Sequence, residues 1–417
     1  MKKTRLMSLF TSPRIFAVML LSFSSGLPLA LTGSTLQAWY TVAGANLMTI
    51  GILSMVGQPY VYKFLWAPVM DRFTPLKIGR RRAWVFLTQL LLVIALCVMA
   101  FLNPKHMPWL LATVALGVAF FAASQDVAID AYRTDVLQID ERGFGASVTN
   151  LGYRIAMLVS GALSLILAAE IGWRSTYLIM AGLMMLGMVV TLRSPQPSEK
   201  LGVPNTFTEA VVEPFRDFMT QKNAMMLLVF MITYKIADVF ALSLNTTFLI
   251  RGVGFSLIDV GSITKVVGLV GALLGSVIGG VMLPRLGLYR SLMVFGFLQI
   301  VSNLSFAILA IVGKNYAFMS ASIFLDYFCG GLSSVAIIVF LMSLCNKRYT
   351  ATQYALFSAV TAIGRVFIGP IAAATVEHVG WFQFYIWSFL IGLPSLMILW
   401  WLKHRVDFTA EQVAEAS

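Results

Sequence analysis

The chain has 417 residues, 59% of them hydrophobic and only 12% charged, with a mean hydropathy of +0.84. Soluble domains carry about 25% charged residues, so this composition excludes a water-solvated surface and leaves almost no chain for a soluble domain. The net charge of +12 sorts into alternate loops instead of gathering on one face, which excludes nucleic acid as a partner.

A helix that crosses a bilayer needs about 20 apolar residues. Twelve such stretches follow one another at 14–39, 47–69, 83–102, 109–132, 144–169, 174–192, 223–248, 258–282, 288–311, 316–344, 350–374 and 381–402. The predicted fold class is therefore an all-α polytopic membrane protein with twelve transmembrane helices and the lipid bilayer as its solvent. The start, Lys2-Lys3-Thr4-Arg5 before an apolar run, has the look of a secretory signal. The run from Ile15 to Trp39 exceeds the roughly 7–15 residues of a signal core, so an uncleaved first helix is expected. Cys97, Cys329 and Cys345 fall inside spans or at their ends and predict no disulfide framework. His106, His378 and His404 lie outside the spans, so no buried metal site is expected.

If the amino terminus is cytoplasmic, one set of loops and ends holds twenty-one lysines and arginines, among them Arg72, Arg80, Arg81 and Arg82. The other set holds only Lys105, Arg174, Arg251 and Lys314. This asymmetry predicts that both termini are cytoplasmic.

The longest connection, 193–222, divides the spans six and six. Residues 1–192 are expected to form one six-helix bundle and 223–402 the other, with a short tail at 403–417. The connection opens as a linker, Ser194-Pro195-Gln196-Pro197-Ser198. Thr206-Phe207-Thr208-Glu209 then reads as a capping box. Phe207, Val211, Phe215 and Phe218 recur at helical spacing, which predicts a helix lying on the membrane interface.

The halves echo each other. Val148-Thr149-Asn150-Leu151-Gly152 in the fifth span matches Val360-Thr361-Ala362-Ile363-Gly364 in the eleventh, each followed by an arginine, Arg154 and Arg365. Ala30-Leu31-Thr32-Gly33-Ser34-Thr35 in the first span matches Ala241-Leu242-Ser243-Leu244-Asn245-Thr246 in the seventh. Such a parallel repeat resembles the 6+6 halves of major facilitator transporters, related by a pseudo-two-fold axis. Ala67-x-x-x-Asp71-Arg72, followed by Gly79-Arg80-Arg81-Arg82, resembles a degenerate form of that superfamily's loop signature. Asp71, Arg72 and Arg80 to Arg82 are the gating candidates, with a purely topological role as the alternative.

Nine charged groups lie well inside spans: Lys63, Asp126, Asp130, Arg154, Lys235, Asp238, Lys265, Asp326 and Arg365. Ionisable groups in hydrocarbon normally face the bundle interior, find partners and mark a pathway. Asp126 and Asp130 share one helix face. Two close carboxylates in a low-dielectric interior do not both ionise readily, which is what a proton carrier needs. Asp238 and Asp326 join them as candidates. Lys63 and Arg133 are candidate counter-charges, Lys235 can pair with Asp238, and Asp326 can pair with Arg365. Permanent helix-joining ion pairs are the alternative. Five bases against four acids suit an anionic small molecule. Candidate contacts for it are Lys63, Arg154, Lys235, Lys265 and Arg365, with Gln37, Gln125, Asn150, Tyr153 and Asn245 as polar partners. Gly271-x-x-x-Gly275-x-x-x-Gly279 predicts close helix packing.

The segment Ser124-Gln125-Asp126-Val127-Ala128-Ile129-Asp130-Ala131-Tyr132-Arg133 resembles the fourth-span motif of the AmpG muropeptide permeases, a branch of the major facilitator superfamily. Ser25-Gly26-Leu27-Pro28, Gln37-Ala38-Trp39-Tyr40 and Trp66-Ala67-Pro68-x-x-Asp71-Arg72 are similar to the same family. The resemblance implies proton-driven import, across the bacterial inner membrane, of anhydro-muropeptides released by cell-wall turnover. These are GlcNAc–anhydro-MurNAc disaccharides carrying a short peptide, and they feed peptidoglycan recycling and β-lactamase induction, hence antibiotic resistance. The proton gradient would be the only drive, with no cofactor, and a monomer is expected. Some members carry further hydrophobic segments that this chain lacks. Relatives that carry acetyl-CoA or carboxylate siderophores leave another anionic cargo as the alternative. An enzyme, such as a polytopic lipid-modifying transferase, would want a His, Cys or Ser constellation at an interface. No histidine lies near the acidic cluster, so no enzyme is expected.

Overall fold

Hydrocarbon offers the backbone no hydrogen-bond partner, so a chain this apolar must satisfy its amides within helices. The computed structural model describes residues 12–44, 54–197, 206–403 and 405, and among them the regular structure is helical throughout. The basic start, linker residues 198–205, His404 and the tail from 406 lie outside the described residues.

Nine helical stretches among the described residues are long and apolar enough to cross a membrane. One of them, Ile139–Arg193, contains both the fifth and the sixth spans. The chain turns between them at Gly172, with φ 80° and ψ 161°. The eleventh and twelfth spans are joined in the same way within Thr350–Leu402, at Gly380 with φ 78° and ψ 171°. Positive φ is open to glycine at little cost, so one residue in each half does the work of a loop.

The second span departs from the continuous helix expected at 47–69. Its described part is a series of short pieces: Ser54–Gly57, Pro59–Tyr62, Lys63–Leu65 and Ala67–Arg72. Pro59 and Pro68 each remove a backbone donor, and Lys63 stands at the break between Pro59–Tyr62 and Lys63–Leu65. The first span is interrupted at Gly33, between Pro13–Thr32 and Ser34–Val42. The seventh is interrupted at Lys235 and again at Leu244, between Ala224–Tyr234, Ile236–Ser243 and Asn245–Thr247. Gly33 and Leu244 occupy the same position in the internal echo, so the repeat extends to a shared defect in the backbone.

The chain forms two compact units. One comprises the chain to Glu141, Val148–Pro214 and Cys345–Leu356; the other comprises Arg142–Ser147, Phe215–Leu344 and the chain from Phe357. Each unit thus takes in a short stretch from the far half of the sequence. The first has a core of Leu27, Leu31, Trp39, Leu92, Leu96, Tyr177 and Met184 with their neighbours. The second is centred on Phe240, Phe248, Phe306, Phe384 and Tyr385.

Close backbone approach is built from glycine. A side chain at Gly271 would lie 2.7 Å from the Phe324 carbonyl, and one at Gly275 would run into the Phe328 carbonyl, so the eighth span, Leu257–Leu286, packs directly on the tenth, Tyr316–Leu344. In the first unit a side chain at Gly26 would lie 2.7 Å from the Tyr153 carbonyl, pinning the first span to the fifth.

The linker helix is Phe207–Thr220. Half of the expected capping box is present: Glu209 N donates to Thr206 Oγ1 at 3.0 Å. The Glu209 carboxylate turns instead to Arg348, 2.5 Å away. Val211, Val212, Phe215 and Met219 are exposed, as an interfacial helix requires, but Phe218 is buried. Phe218 packs on Phe357 at 4.8 Å between ring centroids, which corrects its expected place on the lipid-facing stripe.

Gly275→Val is expected to cost at least about 1–3 kcal/mol through overpacking, read as a lowered melting midpoint in detergent. Gly182→Ala, where a side chain meets open space, should leave that midpoint unchanged or raise it.

Candidate functional site

The fourth span, Pro108–Val136, presents Asp126 and Asp130 on one face, and both meet a single cation. Lys63 Nζ stands 3.7 Å from Asp126 Oδ2 and 3.7 Å from Asp130 Oδ2. Arg133 Nη2 approaches Asp130 Oδ1 at 2.9 Å and donates to the Tyr354 hydroxyl at 2.6 Å. Ser25 Oγ donates to Asp126 Oδ1. Trp66 donates through Nε1 to Ser124 Oγ at 2.9 Å, and its ring packs 4.7 Å from Phe120, which fixes the segment that carries Lys63. The cluster therefore holds two cations and two carboxylates. One of those cations is shared, at ion-pair distance and outside hydrogen-bond range, so it can exchange partners with little loss.

A second network closes the end of this unit that carries the basic loop. Asp71 is fully buried. Its Oδ1 accepts from Arg81 Nη1 at 2.8 Å and from Ala351 N at 3.2 Å. Its Oδ2 accepts from Thr352 N at 2.7 Å and from Thr352 Oγ1 at 2.6 Å. A carboxylate thus caps the first turn of the eleventh span, where backbone amides and the helix dipole favour an anion. Arg81 Nε also donates to Asp135 Oδ2 at 2.7 Å, and Thr350 Oγ1 donates to Asp135 Oδ1 at 2.7 Å. Arg80 donates to the Asp71 carbonyl at 2.7 Å, and Arg82 donates to the Ser194 carbonyl at 2.9 Å. Arg72 is half-buried beside Phe73. Arg80 and Arg81 are buried and hydrogen-bonded.

The second unit has its own charges. Lys235 Nζ lies 3.5 Å from Asp238 Oδ2 and donates to Ser333 Oγ at 2.6 Å. Asp326 accepts from Ser302 Oγ and from Gln299 Nε2, each at 3.3 Å. The side chain of Arg365, its expected partner, lies outside the described residues.

A family model for the Major Facilitator Superfamily matches residues 15–369. The anhydromuropeptide permease of Escherichia coli strain K12 is 46% identical over 402 residues, which cover 96% of this chain and 82% of that protein. An uncharacterized protein of Haemophilus influenzae is 34% identical over 392 residues, 91% of this chain and 92% of that one. The chain belongs to the major facilitator superfamily, in its AmpG-type branch. Solved transporters share the fold. FucP in its outward conformation matches with a TM-score of 0.70 at 12% identity, covering 94% of this chain and 98% of that one. The proton:xylose symporter XylE matches at 0.66 and 11%, covering 96% and 99%. Family membership makes the chain a membrane transporter of small molecules and not an enzyme.

The remaining candidates divide by environment. Asn150, Tyr153 and Arg154 on the fifth span are half-buried and engaged with neighbours. Gln37 is half-buried. Lys265 is exposed and makes no ion pair among the described residues, contrary to the interior position expected for an intramembrane charge. Gln125 is fully buried and points its amide nitrogen at Met184 Sδ on the sixth span, 3.7 Å away, while its Oε1 has no hydrogen-bond partner among the described residues. Asn245 is buried and accepts from the Tyr385 hydroxyl at 3.4 Å, at the break in the seventh span. Sequence reasoning missed Asp135, Thr350, Thr352, Tyr354 and Gln299. Asp135 lies two residues beyond Arg133, and the run Thr350-Ala351-Thr352 at a helix start was an available N-terminal signal.

Asp71→Ala strands Arg81 and the first-turn amides of the eleventh span. Removing one member of a buried ion pair costs about 3–5 kcal/mol, whereas Thr352→Val should cost about 0.5–1.5 kcal/mol. Thermal unfolding of the two purified variants should rank them in that order.

Proposed function

We propose that this chain imports anhydro-muropeptides, GlcNAc–anhydro-MurNAc disaccharides bearing a short peptide, together with protons. The membrane is the bacterial inner membrane, both termini are cytoplasmic, and the working unit is a monomer driven by the proton gradient without a cofactor. The observation that carries the cargo is the 46% identity over 96% of this chain to an anhydromuropeptide permease. The shared cation between Asp126 and Asp130 supports proton coupling. Peptidoglycan recycling, and through it β-lactamase induction, would be the physiological setting.

The cargo is bulky, sugar-bearing and anionic. Lys63 is held by two carboxylates, each at 3.7 Å. Protonation of either one removes half of that hold and leaves the ammonium free to meet a carboxylate of the cargo. Arg154, Asn150, Tyr153 and Gln37 are the proposed further contacts in the first half, with Lys235 and Arg365 in the second. Once the cargo departs, Lys63 returns to the carboxylates and the proton leaves. Access to the basic end requires Asp71 to release the amides of Ala351 and Thr352, which makes the Asp71 network the proposed gate of an alternating-access cycle.

Proteoliposomes should accumulate labelled GlcNAc–anhydro-MurNAc-tripeptide when an inside-alkaline pH gradient is imposed, and should only equilibrate it without one. Asp126→Asn and Asp130→Asn should each abolish accumulation while leaving the protein folded. Wild-type uptake by both variants at high pH would contradict the assignment. Failure of the wild type with this cargo, and success with another anionic molecule, would overturn the substrate.

A further inference from the structure

The second unit contains a polar cluster whose hydrogen bonds do not close. Gln299 Nε2 donates to Asp238 Oδ1 at 3.1 Å and to Asp326 Oδ1 at 3.3 Å, so one amide nitrogen serves two carboxylates. Ser302 Oγ adds a 3.3 Å hydrogen bond to the same Asp326 oxygen. Lys235, 3.5 Å from Asp238, is the cation of this cluster among the described residues. Among the described residues the balance is therefore one positive charge against two carboxylates. In the first unit, Lys63 and Arg133 answer Asp126 and Asp130 two for two.

An independent sign comes from the other end of the same amide. Gln299 is 3% exposed, and its Oε1 has no hydrogen-bond partner among the described residues. Gly330, one turn beyond Asp326 on the tenth span, leaves the space for it: a side chain there would come within 3.3 Å of that oxygen. Buried side-chain acceptors are rarely left without a donor. An amide presents a donor and an acceptor side by side. A carboxylate can use only the donor, whereas a carboxylic acid, with its carbonyl and its O–H, can use both.

We propose that Asp238, Gln299 and Asp326 form a second proton-binding site, separate from the Lys63 cluster, in which the two carboxylates share one exchangeable proton and Gln299 is its hydrogen-bond partner. A proton from water adds to one carboxylate oxygen on binding, and that O–H bond breaks to return it to water on release; no other bond changes. With the proton bound, Lys235 faces one carboxylate and the cluster is neutral. Among the described residues, the groups around the pair are Lys235 from the seventh span, Gln299 and Ser302 from the ninth, Cys329 from the tenth and Tyr385 from the twelfth. Two clusters of different charge balance give the transporter a balanced site that exchanges a cation and an unbalanced one that stores a proton. The role in transport rests on the proton-driven reading above, but binding of the proton does not depend on the cargo.

The test is infrared difference spectroscopy of the purified full-length protein in lipid, titrated from neutral to alkaline pH without cargo. The wild type should show the carbonyl stretch of a protonated carboxyl at neutral pH, lost on alkalinisation. The band should persist in Asp126→Asn and vanish in Asp326→Asn. Gln299→Leu keeps both acids and should shift the band, because the hydrogen-bond partner of the O–H has gone. It also serves as the folded control should Asp326→Asn not assemble. A wild type with no such band, or a band that survives Asp326→Asn and disappears in Asp126→Asn, would overturn the proposal. If the band behaves as expected and no muropeptide is taken up, the cargo assignment alone falls. Gradient-driven uptake with no band would leave the cargo and remove this site.

Discussion

A carboxylate carried into hydrocarbon must be answered inside the protein, and the charged architecture of this transporter follows from how each one is answered. An unpaired ion in a low-dielectric interior is very costly, yet a perfectly satisfied one cannot move a proton or yield to a cargo. Asp71 represents one extreme, with four donors on its two oxygens. Asp126 and Asp130 are intermediate, sharing Lys63 at 3.7 Å. Among the described residues, Asp238 and Asp326 have one lysine, one bridging amide and the Ser302 hydroxyl between them. This gradation from lock to switch is a physical basis for assigning different roles to residues of one chemical type.

The backbone follows the same logic. Spans one, two and seven are broken, and the breaks in two and seven coincide with Lys63 and Lys235. A continuous helix has no spare polar groups, whereas a broken one can position a charged side chain and bond a neighbour. Non-helical backbone at membrane depth is tolerated only where protein or a water-filled cavity surrounds it. Paired interruptions at Gly33 and Leu244, and paired turns at Gly172 and Gly380 with closely matching angles, mark the repeat more securely than the short sequence echoes do.

Much of this was legible in the sequence, for physical reasons that can be named. Span positions follow from bulk hydropathy, which the bilayer enforces. The Gly271-Gly275-Gly279 seam follows from the geometry of close helix approach. Lys63 and Arg133 could be named as counter-charges because few cations were available to a carboxylate pair. What stayed hidden depended on distance along the chain or on neutral residues. Asp71 meets Thr352 across 281 positions, and no local pattern announces that. Gln299 is one polar residue in an apolar helix, and only its two carboxylate partners distinguish it from a packing amide. Gln125 and Asn245 are polar groups at depth whose nearest partners, Met184 and Tyr385, lie on other spans.

The proposed transport couples an anionic cargo to protons through buried carboxylates. Its most direct test is the external pH of a weakly buffered suspension of proteoliposomes when GlcNAc–anhydro-MurNAc-tripeptide is added with no gradient imposed. Entry of the cargo with protons predicts a transient alkalinisation of the medium that scales with uptake and is absent in Asp126→Asn. Uptake of the labelled cargo with no accompanying pH change would contradict the account.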